Sequence, residues 1–246
     1  DPAADPAANR RPRTAMTHAA SLKPRAPVAS RRRGSTQRQR AWRHADHDDR
    51  RRMILDVALE LLEKHGAEGM TIRRVAAKLG VGAMTLYTYV NGQDGLRREL
   101  VRRGFEALSD GCRAASEAAR GLTEPPPHPW WPGARNYIAF AVDHPAWFRL
   151  MFDTPLPRDA AAPDREVLVG GFAPLRERVR DALAEHEQLT GDTLEREARR
   201  VAGRYWIGIH GLAMLATTGR LDILEGDLDA LLADLLPGVA PPVDQP

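Results

Sequence analysis

Apolar side chains recur with a helical period from about residue 49 onward. They fall at i, i+3, i+4, i+7 and i+8, which places them in a single stripe on one face of a helix. The members of this stripe are Ile54, Val57, Ala58, Leu61 and Leu62. Asp48 or Asp49 is predicted to cap the start of the helix, and Gly66 is predicted to end it in a left-handed conformation.

Two shorter helices are predicted to follow, separated by a glycine turn. Thr71 suits the N-cap of the second helix and Gly80 suits its end. The Gly-Val-Gly segment at 80–82 leaves a turn of about three residues before a third helix over residues 83–89. Such a short turn sets the third helix across the second at a steep angle, so the pattern predicts a helix-turn-helix.

Beyond residue 100 the pattern predicts further helices, interrupted by proline-rich segments at 121–133 and 153–164. No alternation typical of a strand extends over a useful length. We therefore predict an all-α fold, with an N-terminal three-helix helix-turn-helix domain followed by a larger helical domain. The predicted limits are 1–47 for a disordered basic arm, 48–92 for the helix-turn-helix, 93–237 for the larger domain and 238–246 for a C-terminal tail.

The charges are segregated along the chain. Residues 1–52 hold 14 Arg or Lys against 5 Asp or Glu, whereas the part after residue 98 holds 16 against 23. A basic head on an acidic body favours contact between the head and a polyanion such as double-stranded DNA. A solvated tail explains the N-terminal part of this charge equally well, because the first 30 or so residues have almost no large apolar side chains.

Composition and motifs argue against several classes of protein. The single cysteine, Cys112, cannot form an intrachain disulfide and fits a reducing, cytoplasmic location. The most apolar stretch, 206–218, is too short to cross a membrane, and no secretory signal is evident. The stretch 80–85 lacks the Gly-Lys-Ser/Thr ending of a phosphate-binding loop. The His and Asp residues at 44–49 fit a linker and helix cap better than a metal site. We expect no catalysis, no cofactor and no metal.

The segment from about residue 50 to 100 resembles the DNA-binding region of the tetracycline-repressor (TetR) family of bacterial regulators. The matching stretches are ILDVALELLEKHGAEGMTIRRVAAKLGVGAMTLYTYV, at 54–90, and the following NGQDGLRREL. In the larger domain, YIAFAVDHPAWFRLMF and YWIGIHGLAML also resemble segments of this family. The resemblance implies a ligand-responsive transcriptional regulator, most often a repressor.

The resemblance also suggests which residues contact DNA. Tyr87 and Thr71 would contact backbone phosphates, and Gln93 stands where the family commonly has lysine. The full predicted set is Arg50, Thr71, Arg73, Ala83, Met84, Thr85, Tyr87, Thr88, Tyr89 and Gln93. The alternative for each tyrosine is that it only straddles core and solvent, as amphipathic aromatic residues commonly do.

The larger domain is predicted to enclose an apolar cavity for a small-molecule effector. The candidate lining residues are Phe105, Leu108, Cys112, Tyr137, Phe140, Trp147, Met151, Trp206 and His210. For any one of them an ordinary place in the core is the more frequent outcome, because large apolar side chains dominate every helical core.

The last two helices are predicted to form a homodimer interface. Residues 201–219 are apolar on nearly every face, with Gly203, Gly208 and Gly211 allowing close backbone approach, and leucines recur between 224 and 235. A two-fold dimer requires a palindromic operator, from which a small apolar or aromatic effector would release it. The alternative is a helical small-molecule-binding protein or enzyme whose basic arm serves solubility or surface contact.

Overall fold

The computed structural model describes residues 37–123, 126, 128–155, 170–186, 189–224 and 227–235. The α-helices in these residues are α1 (37–44), α2 (His47–Gly69), α3 (Ile72–Leu79), α4 (Ala83–Leu86), α5 (Gly92–Ala119), α6 (Trp131–Asp143), α7 (Pro145–Asp153), α8 (Ala173–His186), α9 (Gly191–Thr217) and α10 (Leu228–Leu235). A short 3-10 helix, Leu221–Ile223, joins α9 to α10. No strand occurs in this part of the chain, and the all-α prediction is confirmed.

The predicted apolar stripe of α2 is buried, but the helix begins earlier than predicted. Its N-cap is Asp46, whose Oδ1 accepts a hydrogen bond from the Asp49 backbone N–H at 2.8 Å. The prediction of Asp48 or Asp49 as cap is therefore wrong; both lie in the first turn, where carboxylates favour the positive end of the helix dipole. Gly66 adopts φ 70° and breaks the helical geometry, as predicted.

The helix-turn-helix forms from the predicted local signals. The Thr71 side chain caps α3 by accepting a hydrogen bond from the Arg74 backbone N–H, and Gly80 ends the helix at φ 73°. A side chain at residue 80 would strain this left-handed backbone. Helix α4 then runs only from Ala83 to Leu86, shorter than the predicted 83–89, because residues 87–89 continue as turns.

The last part of the predicted disordered arm is helical and packs on the helix-turn-helix. Trp42 of α1 is 6% exposed and joins the core. The Gln39 side-chain amide donates to the Gly80 carbonyl at 2.8 Å, and Arg38 forms an ion pair with Glu60 at 3.0 Å. The prediction of disorder is therefore wrong for 37–47, since one large apolar side chain and two polar contacts hold this segment. Residues 1–36 lie outside the described residues.

The larger domain is arranged around the long helix α5, which contacts α6, α7 and α8, while α9 packs on α6 and α8. Helix α6 ends at Asp143 and α7 begins at Pro145, because proline suits the first turn of a helix, where its missing N–H needs no partner. Helices α5 and α7 approach closely, since a Cβ at Gly104 would lie 2.5 Å from Met151 Sδ. Among the described helices, none combines the length and the apolarity that crossing a membrane requires.

Helix α7 also touches the helix-turn-helix domain and so connects the two parts of the chain. The Trp147 backbone N–H donates to Glu63 Oε1 of α2 at 3.2 Å, and His144 Nδ1 lies 3.8 Å from the same oxygen. The Trp147 indole N–H donates to the Leu100 carbonyl of α5 at 2.8 Å. A carboxylate of α2 therefore satisfies a backbone N–H in the first turn of α7.

Candidate nucleic-acid interface and ligand cavity

The outward surface of α4 and the turn after it, residues 83–88, is named here the reading tip. Met84 is 78% exposed and Tyr87 53% exposed, and Thr85 and Thr88 are also exposed. Leu86 is fully buried and fixes the tip to the core, while Ala83 is half-buried. The reading tip thus presents a methyl-rich and hydroxyl-bearing surface of the kind that fits base edges and phosphates.

The start of α3 lies in the same small domain and carries two further predicted contacts. Thr71 is half-buried, and its hydroxyl oxygen is engaged as the N-cap acceptor, so its hydrogen can still be donated outward. Arg73 is exposed. Its neighbour Arg74 donates back to the Gly69 carbonyl at 3.0 Å.

Tyr89 and Arg50 occupy a different environment from the rest of the predicted set. Both are half-buried, and the Arg50 guanidinium donates to the Tyr89 hydroxyl at 3.2 Å and to the Trp42 carbonyl at 3.0 Å. The Trp42 ring meets the Tyr89 ring edge to face at 5.4 Å, and the guanidinium lies 5.6 Å from the Trp42 ring centre. The structure thus gives this pair an internal role, which is to hold α1 against the turn that follows α4.

Gln93 likewise has partners inside the protein. Its Oε1 accepts from the Ile72 backbone N–H at 3.1 Å, and its Nε2 donates to the Met70 carbonyl at 2.7 Å. This amide therefore ties the first turn of α5 to the start of α3. Its predicted role at a phosphate stays a prediction.

The larger domain contains a small cavity of about 30 Å³, which we call the inner cavity. Of the predicted ligand residues, Cys112, Tyr137 and Trp206 line it. The other lining residues are Ser116, Trp130, Gly133, Ala134, Gly171, Pro174, Leu175, Arg178 and Ile209. The wall is apolar for most of its area with a few polar groups, as is usual for a small-molecule site.

A wider, more open hollow of about 510 Å³, the outer cavity, lies beside it. Phe105, Met151 and Trp206 of the predicted set line it, and Trp206 and Gly171 belong to both walls. The Trp206 side chain therefore stands between the two cavities.

Four predicted ligand residues line neither cavity. Leu108 is fully buried in the core. The Phe140 ring packs against Trp147, whose indole N–H donates to a backbone carbonyl of α5. His210 contributes indirectly, since its Nδ1 lies 2.9 Å from the hydroxyl of Tyr137, which does line the inner cavity. Ordinary packing is thus the better description of Leu108, Phe140 and Trp147.

His210 lies in an aromatic cluster and is expected to make stability depend on pH. Burial lowers the pKa of His210 below its ordinary value of 6.5, and burial also raises the pKa of the Tyr137 hydroxyl. The phenol therefore remains protonated and the imidazole neutral at physiological pH. The rings of Phe148, Phe152 and Trp206 surround the imidazole.

Acidification should lower the free energy of unfolding through His210. Since its pKa is higher in the unfolded chain, the unfolded state binds the proton first, and stability falls as the pH drops below about 6.5 until the folded-state pKa is reached. Urea unfolding at about pH 7.5 and about pH 5.5 should show a smaller loss in His210→Gln than in the parent. Burial lowers the pKa of His128 too, so the loss is reduced without vanishing. Equal losses in the two proteins would contradict the assignment.

Cys112 is buried on the wall of the inner cavity. Its thiol donates to the Gly133 carbonyl at 3.3 Å, and the Asn136 amide approaches the sulfur at 3.6 Å. Burial raises the pKa of the thiol to about 11, so it is a poor nucleophile in this state.

Sequence reasoning missed several residues that shape the two sites. Trp42 holds α1, while Trp130 and Arg178 line the inner cavity and Phe152 lines the outer one. A signal existed for Trp42, the only tryptophan before residue 130. Trp130 lies in a proline-rich stretch that predicts a loop, and nothing local indicates that such a side chain turns into a cavity.

Two family models match the chain, and together they cover most of the described fold. One, described as "Bacterial regulatory proteins, tetR family", matches residues 54–100 and so contains α3, α4 and the reading tip. The other, described as "Tetracyclin repressor-like, C-terminal domain", matches residues 132–238.

Individual proteins show the same relationship. The chain is 38% identical over 86 residues to the HTH-type transcriptional repressor DrrR1 of Streptomyces coeruleorubidus, which covers 31% of this chain and 32% of that protein. It is 26% identical over 189 residues to the HTH-type transcriptional regulator Rv0681 of Mycobacterium tuberculosis, covering 76% of this chain and 78% of the other. A solved structure from Rhodococcus sp. RHA1 superposes with a TM-score of 0.62 at 26% identity, covering 78% and 92% of the two chains.

The chain spans about a third to a half of the length of the first curated relatives it matches. The two family models nevertheless cover separate parts of it and agree with the helix-turn-helix and the helical body described above. The chain belongs to the tetR family of bacterial transcriptional regulators, which is not a family of enzymes.

Proposed function

We propose that this protein is a ligand-responsive DNA-binding transcriptional regulator that binds a palindromic operator as a homodimer. A small apolar or aromatic effector in the larger domain releases it from the operator. Repression is the direction we favour, because the relative DrrR1 is a transcriptional repressor.

The observation that carries the proposal is the reading tip. A short helix with a buried Leu86 and exposed Met84, Thr85 and Tyr87 stands at the surface of a small domain whose turn is fixed by Gly80. The tip itself carries no carboxylate that would repel phosphate. Methyl groups and hydroxyls in this arrangement can contact thymine methyls, base edges and backbone oxygens in the major groove.

Removing the predicted phosphate contacts at Tyr87 and Thr71 should abolish most operator binding. Hydrogen bonds to charged groups contribute about 1.5–3 kcal/mol each, so Tyr87→Ala combined with Thr71→Ala should weaken binding by about 100-fold or more. The measurement is fluorescence anisotropy with a palindromic fragment selected from genomic DNA by the purified protein. Unchanged affinity would contradict the assignment of the reading tip.

The controls separate contact from folding. Thr71→Ser keeps both the hydroxyl and the N-cap of α3, so it should bind within a few-fold of the parent. Tyr87→Phe keeps the ring and removes only the hydroxyl, so it should lose affinity if that hydroxyl donates to phosphate. Since Tyr87 is exposed, neither change at this position should alter the unfolding transition.

A salt titration distinguishes this proposal from a helical binding protein or enzyme with a solubilising arm. Several arginine contacts to phosphate give a steep linear fall of log affinity with log salt concentration. A flat dependence would favour the alternative.

Helix α7 suggests how effector binding reaches the reading tip. Met151 and Phe152 of α7 line the outer cavity, while the first turn of α7 is held by Glu63 of α2. A ligand that shifts α7 would therefore shift α2 and the spacing of the two reading tips, which must match successive major grooves about 34 Å apart. A coupling free energy of about 1–3 kcal/mol would weaken operator binding by roughly 5- to 150-fold.

A further inference from the structure

The polar groups on the wall of the inner cavity are mainly donors. The Trp130 indole Nε1 is buried and has no hydrogen-bond partner among the described residues. A buried N–H without an acceptor is costly, and native structures rarely leave one unpaired. Ser116, one of the few buried polar residues, adds a hydroxyl to the same wall. The wall therefore offers a buried indole N–H that no described protein group satisfies.

One end of the inner cavity is positively charged. Arg178 lies where the inner cavity meets a groove between α5 and α8. It lines both, as do Ser116 and Pro174. The side chain of Arg178 is 20% exposed, and its guanidinium lies 3.8 Å from the carboxylate of Glu117. Glu117 forms a shorter pair with Arg120, at 3.1 Å. The Arg178 guanidinium thus keeps donors for a further partner.

No carboxylate offsets this charge on the cavity wall. Among the described residues that line the inner cavity, none is Asp or Glu, and the rest of the wall is aromatic, aliphatic or small. A cationic ligand would meet Arg178 without a counter-charge. With an uncharged ligand, the guanidinium would have only water and the Glu117 carboxylate as partners.

We infer that the inner cavity, together with the adjoining outer cavity, binds an organic carboxylate with an apolar or aromatic body. The inner cavity takes only the polar end of the ligand, so that the carboxylate lies against Arg178 and an acceptor oxygen satisfies Trp130 Nε1. The body extends past Trp206, which lines both cavities, into the outer cavity of about 510 Å³. The role of this ligand as the effector rests on the proposed function. Its binding does not, because the test uses no DNA.

The test compares acids with their primary amides. The full chain is titrated with 2-naphthoate, 4-phenylbutyrate and decanoate and with the three matching amides, and the shift in Tm and the Kd are measured. At least one acid should raise Tm and bind ten-fold or more tightly than its amide, because a charge-assisted pair with Arg178 is lost in the amide. No shift with any of the three acids, or equal binding of acid and amide, would overturn the inference.

Single substitutions test whether the carboxylate lies against Arg178. Arg178→Gln should reduce the preference for acid over amide to less than about three-fold, and Trp130→Phe should weaken both by several-fold while keeping an aromatic ring. Arg120→Gln is the matched control, because Arg120 lines the groove and not the inner cavity. A preference that survives in Arg178→Gln, or that disappears in Arg120→Gln, places the carboxylate elsewhere and refutes the assignment. Operator binding is measured separately, so loss of one activity leaves the other result interpretable.

Discussion

Replacing Ile207 with glutamate should disrupt the proposed homodimer and weaken operator binding by about 100-fold or more. Ile207 is 70% exposed although it is a large apolar residue in the middle of α9. Gly203, Gly211 and Met214 share its helix face, and a Cβ at either glycine would meet no atom of the described chain within 4 Å apart from the adjacent part of α9 itself. Such a stripe leaves room for the backbone of a second copy to approach.

The physical reason for the size of the effect is two-fold symmetry. Each Ile207 side chain contributes about 1.5–3 kcal/mol when buried, and a dimer loses both and gains two carboxylates that lack partners. The oligomeric state is measured by analytical ultracentrifugation and operator affinity by anisotropy. Leu122→Glu is the matched control. Leu122, like Ile207, is an exposed aliphatic residue, but it lies outside α9. A variant that stays dimeric would refute this interface.

Truncating Phe148 to alanine should lower the free energy of unfolding by about 3–5 kcal/mol. Phe148 is fully buried in α7, and its ring meets those of Tyr137, Phe152 and His210 at centre distances of 5.6, 4.7 and 5.5 Å. The cavity left by the ring would loosen α7, which lines the outer cavity and also contacts α2. Urea unfolding provides the measurement.

Phe148→Leu is the control for this substitution, because leucine restores much of the lost volume. We expect it to cost about 1–1.5 kcal/mol. Similar losses for alanine and leucine would show that the site collapses around the smaller side chain, contrary to the packing described.

The helix-turn-helix could be predicted because its signals are local. Thr71 caps a helix by reaching a backbone N–H three residues away, and Gly80 adopts a left-handed conformation that other residues avoid. Both effects depend on a few neighbouring residues. The end of α4 was less predictable, since Tyr87 and Tyr89 are compatible with a helix or a turn and tertiary packing decides between them.

The docking of α1 and the lining of the cavities could not be predicted from local pattern. Trp42 is held by Tyr89 and Arg50, and Gln39 by Gly80, which lies 41 residues further along the chain. Whether an aromatic residue faces a void or a neighbouring helix depends on how helices pack. Trp147 faces a carbonyl of α5 whereas Trp130 faces a cavity, although both belong to aromatic stretches next to proline.

The position of Cys112 has a practical consequence. Because it is the only cysteine in the sequence and is buried on the wall of the inner cavity, a thiol-specific reagent can modify the protein at one place only. The rate of that modification reports how often the wall opens. A bound molecule that keeps the wall closed would slow the modification. A single thiol in the unaltered protein thus reports the opening of the inner cavity, with no need for an added fluorophore or an engineered label.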